Sequence, residues 1–72
     1  MFKKYKRKGY TEARPVHAED TLPRLKLLGV SISDEDLAAG SPKLGDMIAR
    51  NPKNHVDQWL ITKEYFEDNF DH

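Results

Sequence analysis

The sequence predicts an α+β fold: a small three-stranded antiparallel sheet with a C-terminal hairpin, packed by short helices. Two observations lead to this prediction. In the C-terminal third, two stretches of strand character flank the turn residues Asn51 and Pro52, which is typical of a β-hairpin. Further upstream, residues that start and stop helices recur at short spacing. With 72 residues, the chain is expected to form one small domain.

The antiparallel strands are predicted near residues 3–7 or 10–14, 46–50 and 57–61. The N-terminal stretch KKYKRKGYTEARP indicates extended chain, because Tyr and Thr favour strands. Gly9 interrupts this stretch, and Pro15 ends any pairing. We therefore divide the chain into a basic N-terminal arm, residues 1–9, and a single α+β domain, residues 10–72.

The helices are predicted near residues 21–28, 34–39 and 63–69. Asp20 or Thr21 can cap the first of them, and Thr62 can cap the third. Before the second helix, Ser33 is three residues from Asp36, so each can bond the backbone of the other in a capping box. The acidic run DED in that first turn is interpreted as a complement to the helix dipole rather than as a metal site.

Large apolar residues of the C-terminal third are expected to anchor the core: Ile48, Trp59, Ile61 and Phe66. Phe66 and Phe70 are four residues apart, which places them on one face of the predicted third helix, where they can cover the hairpin. We interpret Trp59 as a core residue rather than a recognition residue.

The composition indicates an intracellular, non-membrane protein. Without cysteine, disulfides cannot stabilise the domain, so a reducing compartment is expected. No apolar run approaches the roughly 20 residues that a membrane helix needs. The basic N-terminus lacks the apolar stretch of a secretory signal. A monomer in the cytoplasm is the expectation.

Charge is unevenly distributed along a chain whose formal net charge is zero. Residues 1–14 hold six basic side chains and one acidic one, whereas residues 62–72 hold one basic and four acidic ones. Either the basic start pairs with the acidic tail inside the fold, or it meets an acidic partner. Under the second interpretation, the partner-binding residues are Lys3, Lys4, Tyr5, Lys6, Arg7, Lys8, Tyr10 and Arg14.

Residues suited to catalysis or cofactor binding do not group in the sequence. His17, His55 and His72 stand in three different segments, without the spacing of a metal site. The four glycines stand alone, so no phosphate-binding loop is recognisable. No serine or threonine lies in a nucleophile-elbow pattern. We therefore expect no enzymatic activity, no catalytic residues, no cofactor and no metal.

Two segments carry a family resemblance, KKYKRKGYTEARP and GDMIARNPKNHVDQWLITKEYFEDNF. They combine a basic, KY-rich strand, a GD-led hairpin with a tryptophan, and a helix with the pattern YF…NF. In this outline the chain resembles a group of small tailed-phage and prophage proteins over about 40 of its 72 residues. The same two ends are similar to small phage domains of the PGDYG type, although the PGDYG motif itself is missing here.

Within that group, the size, the lack of cysteine and the basic start look like small Xanthomonas-phage proteins that bind host RNA polymerase. This resemblance implies a non-catalytic regulator in the host cytoplasm that binds the amino-terminal region of the polymerase β′ subunit. It further implies inhibition of host transcription initiation and read-through of terminators, with a host elongation factor as a further partner. No residue-by-residue correspondence accompanies it.

Two alternatives remain open, one from the residues and one from the resemblance. The first is a small nucleic-acid-binding accessory protein, in which the basic arm contacts RNA phosphates while Tyr5 and Tyr10 lie against bases. The second is a phage inhibitor of another host system.

Overall fold

The computed structural model describes residues 2–6 and 9–70. Eight elements follow one another: β1 (Lys3–Lys6), β2 (Tyr10–Pro15), α1 (Leu22–Leu27), β3 (Val30–Ser31), α2 (Asp34–Ala38), β4 (Met47–Asn51), β5 (Asn54–Ile61) and α3 (Lys63–Asn69). The strands form one sheet in the order β1-β2-β4-β5-β3. All neighbours are antiparallel except β3 and β5, which are parallel.

The α+β class is confirmed, but the prediction of a three-stranded antiparallel sheet is wrong, because the sheet has five strands. The two N-terminal alternatives, 3–7 and 10–14, both correspond to strands, and these pair with each other as β1 and β2. Gly9, at φ +116°, precedes β2 rather than interrupting one strand. Lys3–Lys6 thus pairs into the sheet, within the segment that we separated as an arm. Arg7 and Lys8 of that segment lie outside the described residues.

The fifth strand is the two-residue β3, which follows α1 and pairs with Gln58 and Trp59 of β5. The C-terminal hairpin forms as predicted, with a tighter turn, since Asn51 already pairs with Asn54. The side-chain Oδ1 of Asn51 accepts a hydrogen bond from the backbone N–H of Lys53 at 2.9 Å, which closes the turn.

All three predicted helices are present, within two residues of their predicted bounds. Ser33 Oγ accepts a hydrogen bond from the Asp36 N–H at 3.1 Å, and Thr62 Oγ1 accepts one from the Tyr65 N–H at 3.3 Å, as expected of N-caps. The reciprocal half of the capping box does not form, because the Asp36 carboxylate makes no bond back to Ser33. Thr21 occupies the N-cap of α1 without a side-chain bond.

The core consists of two apolar clusters, one on each face of the sheet. The face that we call the α3 face packs against that helix through Ala13, Met47, Ala49, Ile61, Phe66 and Phe70. The opposite face, the α1 face, carries Val16, Leu25, Val30, Ile48 and Leu60. Among the expected core anchors Ile48, Ile61 and Phe66 are buried, whereas Trp59 is only partly buried against the α3 face.

Gly45 lies where a side chain would be strained. Its φ is +100°, and a Cβ built there would approach Lys63 Cδ to 3.0 Å. We expect Gly45→Ala to lower the free energy of unfolding by about 1–3 kcal/mol, because alanine resists this backbone conformation. Urea unfolding measures the change. Gly40→Ala shares the positive φ but has open space around the Cβ, so any extra loss in Gly45→Ala measures the contact with Lys63. Equal stability of Gly45→Ala and the parent would contradict the expectation.

Candidate partner-binding surface

β1 forms one outer edge of the sheet and presents three exposed lysines, Lys3, Lys4 and Lys6. Its register fixes where these side chains lie, because directly paired residues of neighbouring strands share a face. Lys4 pairs with Glu12 and Lys6 pairs with Tyr10, so these four residues lie on the α1 face. Lys3 pairs with Ala13 and therefore lies at the edge of the α3 face.

The lysines of β1 are not neutralised by the acidic C-terminal helix. Among residues 2–6 and 9–70, none of Lys3, Lys4 and Lys6 forms an ion pair. In that part of the chain, Glu64 of α3 pairs with Lys43 instead, at 3.8 Å. The interpretation that the basic start pairs with the acidic tail inside the fold therefore has no support in the described residues.

The two tyrosines predicted to bind a partner have different surroundings. Tyr5 is partly buried, and its ring meets Phe66 edge-on with the centroids 4.8 Å apart. It therefore helps to hold β1 on α3. Tyr10 is 66% exposed on the α1 face beside Lys6. An exposed aromatic ring next to a cation is a surface that can contact a partner.

Arg14 is engaged within the fold. Its guanidinium donates two hydrogen bonds to the Asp20 carboxylate, at 2.8 and 3.1 Å, and its side chain is only 15% exposed. These bonds from Arg14 lower the pKa of Asp20 to about 2, against the opposing effect of burial. The Asp20 carboxylate accepts a third hydrogen bond from the backbone N–H of His17. We leave Arg14 out of the candidate surface, because its charge is already paired.

A polar cluster that the sequence did not predict adjoins the lysines on the α1 face. Arg50 Nε donates to Glu12 Oε1 at 2.6 Å, and His55 Nε2 lies 3.4 Å from the same oxygen. The bond from Arg50 lowers the pKa of Glu12. The Arg50 guanidinium also lies 4.1 Å from the centroid of the Phe2 ring. Because Glu12 and Arg50 are 38 residues apart, no local pattern could have revealed this pair.

The aspartate of the GD pair is structural. Asp46 is fully buried and accepts hydrogen bonds from Ser41 Oγ at 2.8 Å and from the backbone N–H groups of Lys43 and Lys63 at 3.0 Å each. Burial raises the pKa of Asp46, but these hydrogen bonds outweigh it, and the net shift is downward. Since Lys63 is the first residue of α3, the carboxylate fixes the start of that helix to the turn before β4.

Elsewhere in residues 2–6 and 9–70, the histidine and carboxylate side chains form no group of three or more that is suited to a metal ion. No helix in this part of the chain is long and apolar enough to cross a membrane. Comparison with protein-family models, with curated proteins and with solved structures gave no match. The candidate site is a sheet edge with three exposed lysines and an exposed tyrosine, which we call the basic edge (Lys3, Lys4, Lys6 and Tyr10).

Proposed function

We propose that the protein is a non-catalytic, phage-encoded regulator that binds an acidic surface of a host protein through the basic edge. The partner that the family resemblance suggests is the amino-terminal region of the RNA polymerase β′ subunit. In this proposal, binding inhibits host transcription initiation and promotes read-through of terminators in the host cytoplasm, with a host elongation factor as a further partner.

The observation that supports this proposal most is that no carboxylate in the described part of the chain forms an ion pair with the lysines of the basic edge. Three lysines in four residues repel one another, and exposed ion pairs contribute only about 0–1 kcal/mol each. An acidic partner stabilises such a group of charges and also accelerates association. The lysines have a second effect, since charged residues on an edge strand oppose pairing with another copy of the chain. The same edge thus favours a monomer that binds acidic partners.

Nucleic-acid binding is the second candidate, because Tyr10 beside Lys6 resembles the stacking and phosphate contacts used for single strands. The charge of the remaining surface disfavours it. In residues 15–61 seven acidic side chains face five basic ones, but Asp20 and Asp46 are buried, so the surface charges of this segment balance. The net negative charge comes from residues 62–70, which add three carboxylates against one lysine. A phosphate backbone is repelled by this surface wherever it leaves the basic edge.

Replacing Lys3, Lys4 and Lys6 together with Gln should weaken binding to host RNA polymerase about tenfold or more and flatten its dependence on salt, because three charge contacts are lost. Binding of the labelled protein to purified polymerase at several salt concentrations measures both effects. The charge-matched control replaces three other residues with Gln: Arg24, Lys26 and Lys53. These side chains are exposed but lie outside the basic edge. This control should bind like the parent protein.

Equal polymerase binding by the two triple variants would contradict the proposal, provided that both melt cooperatively. RNA binding by the parent that is tight at physiological salt, with a steep salt slope that the basic-edge variant loses, would instead favour the nucleic-acid candidate.

A further inference from the structure

A cleft of about 320 Å³ opens on the α3 face, away from the tyrosine and two of the lysines of the basic edge. It lies between α2, α3 and β5, and its aromatic lining comes from Trp59, Tyr65 and Phe70. Trp59 is partly buried there, and Tyr65 is 42% exposed. The space is large enough to take one long side chain of another protein.

One wall of the cleft carries a carboxylate, that of Asp36, for which the described part of the chain supplies no partner. The backbone N–H of Asp36 donates to Ser33 Oγ, but the Asp36 carboxylate forms no hydrogen bond or ion pair within the described residues. This side chain is partly buried, and it lines the same cleft as the Trp59 ring. An ionised carboxylate next to aromatic rings is the environment that a cation prefers, because the rings and the carboxylate attract it together.

The surroundings of the cleft reinforce this preference for positive charge. The helices on its two sides, α2 and α3, contain six carboxylates and a single lysine, Lys63. Of these carboxylates, Glu64 has a cationic neighbour, Lys43, at 3.8 Å. A group of like charges around a partly enclosed cleft raises the local concentration of oppositely charged groups.

We propose that this cleft binds an arginine side chain of a partner protein. The guanidinium pairs with the Asp36 carboxylate and stacks on Trp59, while the aliphatic stem contacts Phe70 and Tyr65. Arginine fits better than lysine, since its planar group combines carboxylate pairing with aromatic stacking and is more weakly hydrated. This site is separate from the polymerase contact proposed above, because it has the opposite charge and lies on the other face from Lys4, Lys6 and Tyr10.

The test uses two small probes that differ in charge but hardly in shape: N-acetylarginine amide and the neutral N-acetylcitrulline amide. Trp59 is the single tryptophan of the chain, so its indole N–H gives one assignable signal in a nitrogen–proton correlation spectrum. We expect the arginine probe to shift this signal saturably. The affinity for the citrulline probe should be lower by about fivefold or more.

Asp36→Asn should lower the affinity for the arginine probe about threefold or more. The correlation spectrum of the variant without probe should still be that of a folded protein. Asp34→Asn is the matched control, because Asp34 belongs to the same short helix but does not line the cleft, and it should bind like the parent. Equal binding of the two probes, an unchanged affinity of Asp36→Asn, or the absence of a saturable Trp59 shift would each overturn the proposal. None of these measurements involves polymerase, so the two proposals fail or stand independently.

Discussion

Phe66→Ala is expected to lower the free energy of unfolding by about 3–5 kcal/mol. Phe66 is 5% exposed, and among the described residues its ring meets that of Tyr5 edge-on at 4.8 Å and stacks on that of Phe70 at 5.1 Å between centroids. The truncation therefore leaves a cavity between β1 and α3 and removes both ring contacts. The total free energy of unfolding of a natural domain is only about 5–15 kcal/mol, so the substitution removes a large share of it.

Urea unfolding followed by the fluorescence of Trp59 measures this loss. Tyr65→Ala is the control on the same helix, and we expect it to cost about 1 kcal/mol or less, because Tyr65 is 42% exposed. Trp59→Ala, measured by circular dichroism, should cost less than Phe66→Ala, because Trp59 is only partly buried. An unfolding midpoint of Phe66→Ala close to that of Tyr65→Ala would mean that α3 does not pack on the sheet as described.

Asp46→Ala should cost a similar amount, about 3–5 kcal/mol, for a different reason. The substitution leaves four buried or partly buried donors without their acceptor: Ser41 Oγ, the backbone N–H groups of Lys43 and Lys63, and the Lys43 ammonium. The turn before β4 and the start of α3 lose their common anchor. Asp57→Ala is the control, since Asp57 is exposed on β5, and it should change stability by about 0.5 kcal/mol or less.

The stability that the Asp46 carboxylate contributes should also depend on pH. The pKa values of Asp46 and Asp20 are lowered in the folded state, that of Asp20 to about 2. Their stabilisation is complete above the ordinary aspartate pKa of about 3.9 and is lost as the pH falls through the folded values. The parent should thus melt at progressively lower temperature from about pH 4 towards pH 2. Asp46→Ala should show a shallower decline in that window, and a decline as steep as that of the parent would contradict this role of the carboxylate.

The helices and their caps were predictable from the sequence because their signals are local. Ser33 and Thr62 cap the amides three residues ahead of them, and Phe66 and Phe70 share a face through helical spacing alone. The hairpin of β4 and β5 was predictable for the same reason, since Asn51 ends its first strand and Pro52 follows in the turn.

The number of strands and the details of the site were not predictable in this way. β1 and β2 pair as a hairpin, but the sequence left them as alternatives for one strand, because Gly9 was interpreted as an interruption rather than as part of the connection. Pairing of β3 with β5 joins segments distant in the sequence, and no local pattern states it. The charge block was visible in the sequence, yet the guanidinium of Arg14 is paired with Asp20, and only the structure separates it from the exposed lysines. The Asp36 carboxylate was likewise assigned to a capping box from its spacing, whereas among the described residues it makes no hydrogen bond or ion pair.

The central position of β4 determines when this chain can fold. β4 pairs on one side with β2, more than thirty residues upstream, and on the other with β5. During synthesis the first 46 residues therefore emerge without the strand on which the N-terminal hairpin docks, and the buried face of α3 arrives later still. Contacts between such distant segments form only after a large loop has closed, which slows folding. The sheet can therefore be completed only after β4 and β5 have been synthesised, and until then the lysine-rich edge has only β2 beside it.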